Sequence, residues 1–203
     1  MDAEVKGILR GTTTLRNILA SALGGLHVAQ SESPFAEAVD RGNVYFTANQ
    51  ATVTTQAGLS ATTPALTIAN RVASGKIVKL WYAGAMGLVA AVAGAEVWAC
   101  LGGYSATAVT ETTAATVRNA KTGDATAPTG VACLAVATLP AAPVAIAQLG
   151  AQYTGAITTA PVGFPFGRWF NGALWIREGY NFTIQTSTAT TLFCDYIFEV
   201  VDE

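Results

Sequence analysis

The chain has 203 residues, 51% of them hydrophobic and only 12% charged, with 13 acidic side chains, 11 basic ones and a single histidine. A folded monomer of 20.8 kDa exposes about 9,000 Å², more than so few charges cover at ordinary density. Uncharged polar groups must therefore face water, or much of the surface must be buried against other chains. A net charge of −2 without a Lys/Arg cluster argues against direct nucleic-acid binding, and a mean hydropathy of +0.40 argues against intrinsic disorder.

At the N-terminus, Lys6, Arg10 and Arg16 precede a short apolar run at residues 18–23, which superficially matches a signal peptide. Asp2 and Glu4 within the basic region, and the shortness of the run, instead predict an uncleaved chain made in the cytoplasm. Leu15, Ile18, Leu19 and Ala22 recur at helical spacing, residues 12–14 are threonines able to cap the start, and Gly24 and Gly25 can stop it. This predicts a short helix or an extended arm, followed by a loop through residues 31–34. Residues 1–42 are read as the arm and 43–203 as the body.

From residue 43 the texture is β. Segments 44–47, 51–56, 65–69, 77–82, 86–92 and 96–101 are predicted strands, rich in aromatic and β-branched types and punctuated by Gly, Asn and Ser. Residues 80–101 carry one charge, Glu96, with Trp81 and Trp98 near the ends. Gly84, Gly87, Gly94 and the internal carboxylate fit buried strands better than a membrane helix. Residues 131–167 hold no charged side chain and are broken by Pro140, Pro143, Pro161 and Pro165, which predicts two or three strands in an interior or an interface. A strand at 173–176 turns at Arg177-Glu178-Gly179. Beyond it, Tyr180, Phe182 and Ile184 alternate with Asn181, Thr183 and Gln185, predicting one buried and one wet face. In the terminal strand Leu192, Cys194, Tyr196, Phe198 and Val200 share a face. The opposite face, with Thr191, Phe193, Asp195, Ile197 and Glu199, is mixed, as at a subunit contact. Many short strands with Gly/Pro punctuation mean an all-β sandwich or barrel.

Little in the sequence supports catalysis. His27 would have to serve any Ser-His-Asp or Cys-His system and sits in an apolar setting that reads as structural. Cys100, Cys133 and Cys194 are odd in number and widely spaced, without a CxxC or HxxxH pair, so they read as buried reduced thiols and not as a disulfide framework or zinc site. Before Ser74-Gly75-Lys76, Asn70 stands where a phosphate loop requires glycine, and an apolar strand follows instead of a helix. No feature pairs two carboxylates as acid and base, and the sequon Asn181-Phe182-Thr183 falls within a strand. The chain is expected to be no enzyme and to need no cofactor or metal. One constellation stands out: Phe164, Phe166, Trp169, Phe170 and Trp175 place five aromatics within twelve residues. It reads as a plug closing one end of the sandwich, as a contact with another subunit, or as a platform for sugar rings. The candidate interface comprises Leu15, Ile18 and Leu19 of the arm, the aromatics Phe164, Phe166, Trp169 and Phe170, and Phe193 and Ile197 of the terminal strand.

The run Gly172-Ala173-Leu174-Trp175-Ile176-Arg177-Glu178-Gly179-Tyr180-Asn181-Phe182-Thr183-Ile184 precedes a Thr-rich turn and a terminal strand ending Glu199-Val200-Val201-Asp202-Glu203. Together with Thr63-Pro64-Ala65-Leu66-Thr67-Ile68-Ala69-Asn70 leading into Ser74-Gly75-Lys76, it resembles the jelly-roll decoration (cement) proteins of tailed bacteriophage heads. The resemblance covers about residues 40–203 and leaves the arm uncovered. It implies an all-β jelly roll of the tumour-necrosis-factor-like kind and a homotrimer on the capsid exterior, contacting the major capsid protein and made in the host cytoplasm. It implies no catalytic motif. The arm's apolar positions are then expected to dock on an adjacent subunit or the capsid floor. The competing expectation is a trimeric receptor- or glycan-binding knob of a fibre.

Overall fold

The computed structural model describes residues 33–87, 95–152 and 165–203, together with the strand backbones at 5–8, 15–20 and 26–27. The chain divides into two compact units, Met1–Glu37 and Ala38–Glu203. The first contains an antiparallel sheet of β1 (Val5–Ile8), β2 (Leu15–Ala20) and β3 (Leu26–His27), with β2 central. Leu15, Ile18 and Leu19 thus lie in an extended strand and not in a short helix, the other of the two forms expected for the arm, and Ala22 lies outside the described residues. Four apolar positions are too few to set a period. Pairing of Ile18 with Val5 and Leu19 with His27 also supplies partners that a solitary two-turn helix would lack.

The described helix, α1 (Pro34–Asp40), begins at the last residue of the expected 31–34 loop. Its start has a local cause. Ser33 caps it, its Oγ accepting from the Ala36 amide at 3.2 Å, and Pro34 takes the first helical position, where a missing N–H costs nothing. Gly42, at φ +75°, ends it as the amides of Gly42 and Asn43 donate back to Val39 and Ala38.

The body continues with β4 (Val44–Ala48), β5 (Val53–Thr54), β6 (Thr67–Asn70), β7 (Lys76–Gly87), β8 (Ala95–Gly102), β9 (Thr110–Ala114), β10 (Thr116–Asn119), β11 (Val131–Thr138), β12 (Val144–Gln152), β13 (Pro165–Ile176), β14 (Asn181–Thr186) and β15 (Thr191–Asp202). One sheet runs β10-β4-β15-β7-β13, with β5 beside β15; the other runs β12-β8-β14-β6-β11-β9. The body is an all-β sandwich of antiparallel sheets. Its pairings are nested: β4 with β15, β6 with β14, β7 with β13, and β8 with β12. The chain therefore behaves as one long hairpin rolled across two layers, with β9, β10 and β11 inserted near its tip.

Leu66, Ile68, Leu80, Val97, Ile176, Phe182, Ile184, Leu192, Tyr196 and Phe198 fill the core. Phe182 is central, meeting Tyr196 edge-on at 5.3 Å between centroids, while the Tyr196 hydroxyl donates to the Leu66 carbonyl.

Three strand readings need correction. Segments 77–82 and 86–92 were expected as separate strands, yet β7 runs unbroken through Gly84 to Gly87; residues 88–92 lie outside the described residues. The strand expected at 173–176 is the end of β13, which bulges where Asn171 and Gly172 take φ of 52° and 74°. In β14 all six residues are buried, so the expected wet face does not exist. The segment before β6 covers it: Gln185 Nε2 donates to the Ser60 carbonyl and its Oε1 accepts from the Ser60 amide, both at 2.7 Å, and Thr183 Oγ1 donates to the Leu66 carbonyl at 3.1 Å. Among the described residues no helix is long and apolar enough to cross a membrane.

Candidate functional site

Alternation along β15 sends Leu192, Cys194, Tyr196 and Phe198 into the core and leaves Phe193, Asp195 and Ile197 on the other face of the sheet. Register then decides which residues meet there. Ile197 stands opposite Phe46 on β4 and Tyr82 on β7, Tyr82 opposite Trp169 on β13, and Phe46 opposite Arg118 on β10. A row of Arg118, Phe46, Ile197, Tyr82 and Trp169 thus crosses the sheet. The next row holds Ala48, Asp195, Gly84 and Gly167, and beyond it Phe193 faces Met86.

This outward face is apolar and partly open. Trp169 is 55% exposed and Phe46 42%, and the Trp169 ring lies 5.0 Å from that of Tyr82. Trp175, 47% exposed, has Lys79 Nζ 5.5 Å over its ring and donates its indole N–H to the Gly172 carbonyl. The glycines of the second row are required by the Tyr82 ring. A Cβ on Gly167 would stand 2.2 Å from the Tyr82 hydroxyl, and one on Gly84 would stand 2.5 Å from Asp195 Oδ1. Asp195 is half-buried, and among the described residues no side chain or amide donates to its carboxylate. Burial lifts its pKa above the ordinary 3.8, and burial together with the nearby Asp195 charge lifts that of Tyr82 above 10.0.

The structure places three of the expected interface residues, Trp169, Phe193 and Ile197, on the same outward face of this sheet. It turns Phe166 and Phe170 the other way. The Phe166 ring lies against Gly150 of β12, and Phe170 meets Phe182 edge-on at 6.3 Å, so both pack against the core. Phe164 and the side chains of Leu15, Ile18 and Leu19 lie outside the described residues. Phe46, Tyr82 and Arg118 join the surface without having been singled out for it, beside Asp195, which the mixed face of the terminal strand already included. Period-two parity would have placed Tyr82 beyond the core-facing set of β7, but no local signal places Phe46 beside Ile197.

Sites of other chemistry are sparse. Among the described residues no three His, Cys, Asp or Glu side chains group as metal ligands. Arg71 holds Glu111 through two bonds of 2.7 and 2.8 Å at the rim of a cleft of about 280 Å³, lined also by Asn70, Val109, Ser105 and Tyr180. The hydrogen bonds from Arg71 hold the Glu111 carboxyl below its usual range, which suits an ion pair and not a proton-transfer group. Cys100, Cys133 and Cys194 are free and buried, and burial pushes each thiol up to about 12. A thiol reagent at pH 8 is expected to label none of them in the native protein at the rate seen in urea. Rapid native labelling of more than one would contradict their burial.

No family model matches the chain, and no curated protein matches it. A solved structure, the crystal structure of the infectious bursal disease virus VP2 subviral particle, aligns over 98% of this chain and 47% of its own, with 11% identity and a TM-score of 0.17. The chain spans about half the length of that structure, and a likeness at this level carries no argument.

Proposed function

We propose that the chain is a structural virion protein, a trimeric decoration or cement protein that stabilises a phage head by bridging capsomers from the capsid exterior. The observation that carries this reading is the apolar outward face of the first sheet, with Phe46, Ile197, Tyr82 and Trp169 in one cross-strand row and Phe193 further along β15, on a protein poor in charge. Aromatic patches of this kind are the centres of protein interfaces. The nested pairings support a jelly roll of the tumour-necrosis-factor-like kind, in which first and last strands pair and successive strands alternate between layers. Fold alone does not choose the function, since jelly rolls serve capsids and lectins alike. The partners in this reading are two further copies and the major capsid protein, with no nucleic acid, membrane, cofactor or metal, and no enzymatic step.

One observation favours a second reading, a trimeric receptor- or glycan-binding knob: the half-exposed Trp169 ring, 5.0 Å from that of Tyr82, offers an aromatic face on which a sugar ring can stack. Location separates the two. Immunogold labelling of purified particles is expected to decorate the whole head surface, and light scattering of the free protein to give a trimer. Label confined to fibre tips would replace the first reading with the second, and a stable monomer at micromolar concentration would remove the trimer from both.

A further inference from the structure

Resting on the reading of the outward face as an assembly contact, we infer that a second copy of this chain covers it and lays Arg118 of its edge strand β10 against Asp195. The argument begins with the carboxylate. Asp195 stands in the second row, flanked by Ala48 and Gly84, with the Tyr82 ring alongside and no described donor to its oxygens. Water reaches it now. Covering the surrounding aromatic patch would remove that water, and a buried carboxylate without a partner opposes association strongly. Whatever covers the face must therefore bring a donor. The ring beside the carboxylate is that of Tyr82, since both crowd the space over Gly84. A guanidinium is the donor that both stacks on rings and binds a carboxylate in its plane.

The chain's own cations narrow the source. Among the described residues, Arg41, Arg71, Lys76 and Arg177 pair with Glu199, Glu111, Asp202 and Glu203. Lys121 binds the Asp40 carbonyl and Lys79 sits over Trp175. Arg168 is in register with core-facing Ala83 and lies over Phe170, 5.7 Å from its centroid. Arg118 differs. It stands on an edge strand, exposed, in register with outward-facing Phe46, and its guanidinium donates to the Gly123 carbonyl at 3.1 Å. In its own sheet it is two strands from Asp195, about 10 Å at ordinary strand spacing, with Phe46 and Ala48 on the strand between them. From a neighbour, the edge carrying Arg118 can lie on the face carrying Asp195. Edge-on-face contact is heterologous, and such contacts close into a ring when each copy repeats the same rotation.

Charge reversal in the full-length protein tests this. Asp195→Lys and Arg118→Glu are each expected to weaken self-association at least tenfold in sedimentation and light scattering, and the double variant to restore it. Arg118 is exposed, so its variants should fold even if Asp195→Lys does not, and Arg118→Ala must reproduce the loss. Single variants that assemble like the wild type, or a double variant that fails to recover, would overturn the Arg118–Asp195 contact while leaving the assembly reading in place. A folded, monomeric wild type would overturn both. If its tryptophan fluorescence also responds to an oligosaccharide panel, the occupant of the face is a sugar and not a second copy.

Discussion

Truncating Phe182 to alanine is expected to lower the unfolding free energy by about 3–5 kcal/mol, read as a fall in urea midpoint at unchanged m-value. Phe182 is fully buried between the sheets, edge-on to Tyr196 on one side and to Phe170 on another. The site cannot easily collapse around the loss. Strand β14 is held in register by β6 on one flank and β8 on the other, with Phe182 opposite both Ile68 and Leu101, so the backbone is not free to move inward. The Tyr196 ring is likewise fixed by its bond to the Leu66 carbonyl. Trp175→Ala, which removes a larger but half-exposed ring, is the control. It should change stability by well under half as much, because nearly half of its surface is already in water and it packs outside the core. Similar costs for the two substitutions would mean that the core is not centred where β14 and β15 face each other.

Period and composition made some of this fold legible and could not reach the rest. The terminal strand was readable because Leu192, Cys194, Tyr196, Phe198 and Val200 alternate without interruption, and a strand with one core face must show that parity. The same rule misled at β14. Asn181, Thr183 and Gln185 are polar, so they read as wet, but all three are buried, and the side chains of Thr183 and Gln185 are bonded by a segment more than a hundred residues earlier. Polarity reports a need for partners, which water or a distant loop can meet equally well. Glycine misled too: Gly84 resembles a break, yet it sits inside β7 because the Tyr82 ring and Asp195 occupy the space of its side chain. The outward face was half legible. The aromatic run in β13 was visible, and strict alternation would have separated Trp169 from Phe166 and Phe170. That Phe46, Ile197, Tyr82 and Trp169 form one row depends on register among four strands, which local patterns do not encode.

Asn49 makes the sharpest test of the buried polar framework. It is fully buried just beyond β4, and its side chain binds three backbone groups: Oδ1 accepts from the Cys194 amide at 2.6 Å, and Nδ2 donates to the carbonyls of Ala51 at 2.8 Å and Leu192 at 3.3 Å. These bonds tie the exit of β4 to β15 where the direct ladder stops. Asn49→Ala should therefore cost on the order of 2–4 kcal/mol, because an unpaired buried amide or carbonyl costs about 1–3 kcal/mol and relaxation will meet part of the need. Asn49→Asp separates hydrogen bonding from shape. A protonated aspartic acid keeps an acceptor for the Cys194 amide and a donor for one carbonyl. The ionised form places a buried charge against two carbonyl oxygens. The folded-state pKa of this aspartate must then lie above its unfolded value of about 3.9. The sign follows from proton uptake: the folded state binds the proton more tightly, so stability falls as pH rises from the unfolded pKa to the folded one and stays low above it. The variant should approach wild-type stability near pH 3.5 and lose several kcal/mol relative to it by pH 7, on the scale expected for a buried, unpaired carboxylate. Equilibrium urea denaturation of both proteins across that range measures the difference directly. A deficit of the same size at both pH values would mean that the amide at position 49 contributes packing and not the three bonds.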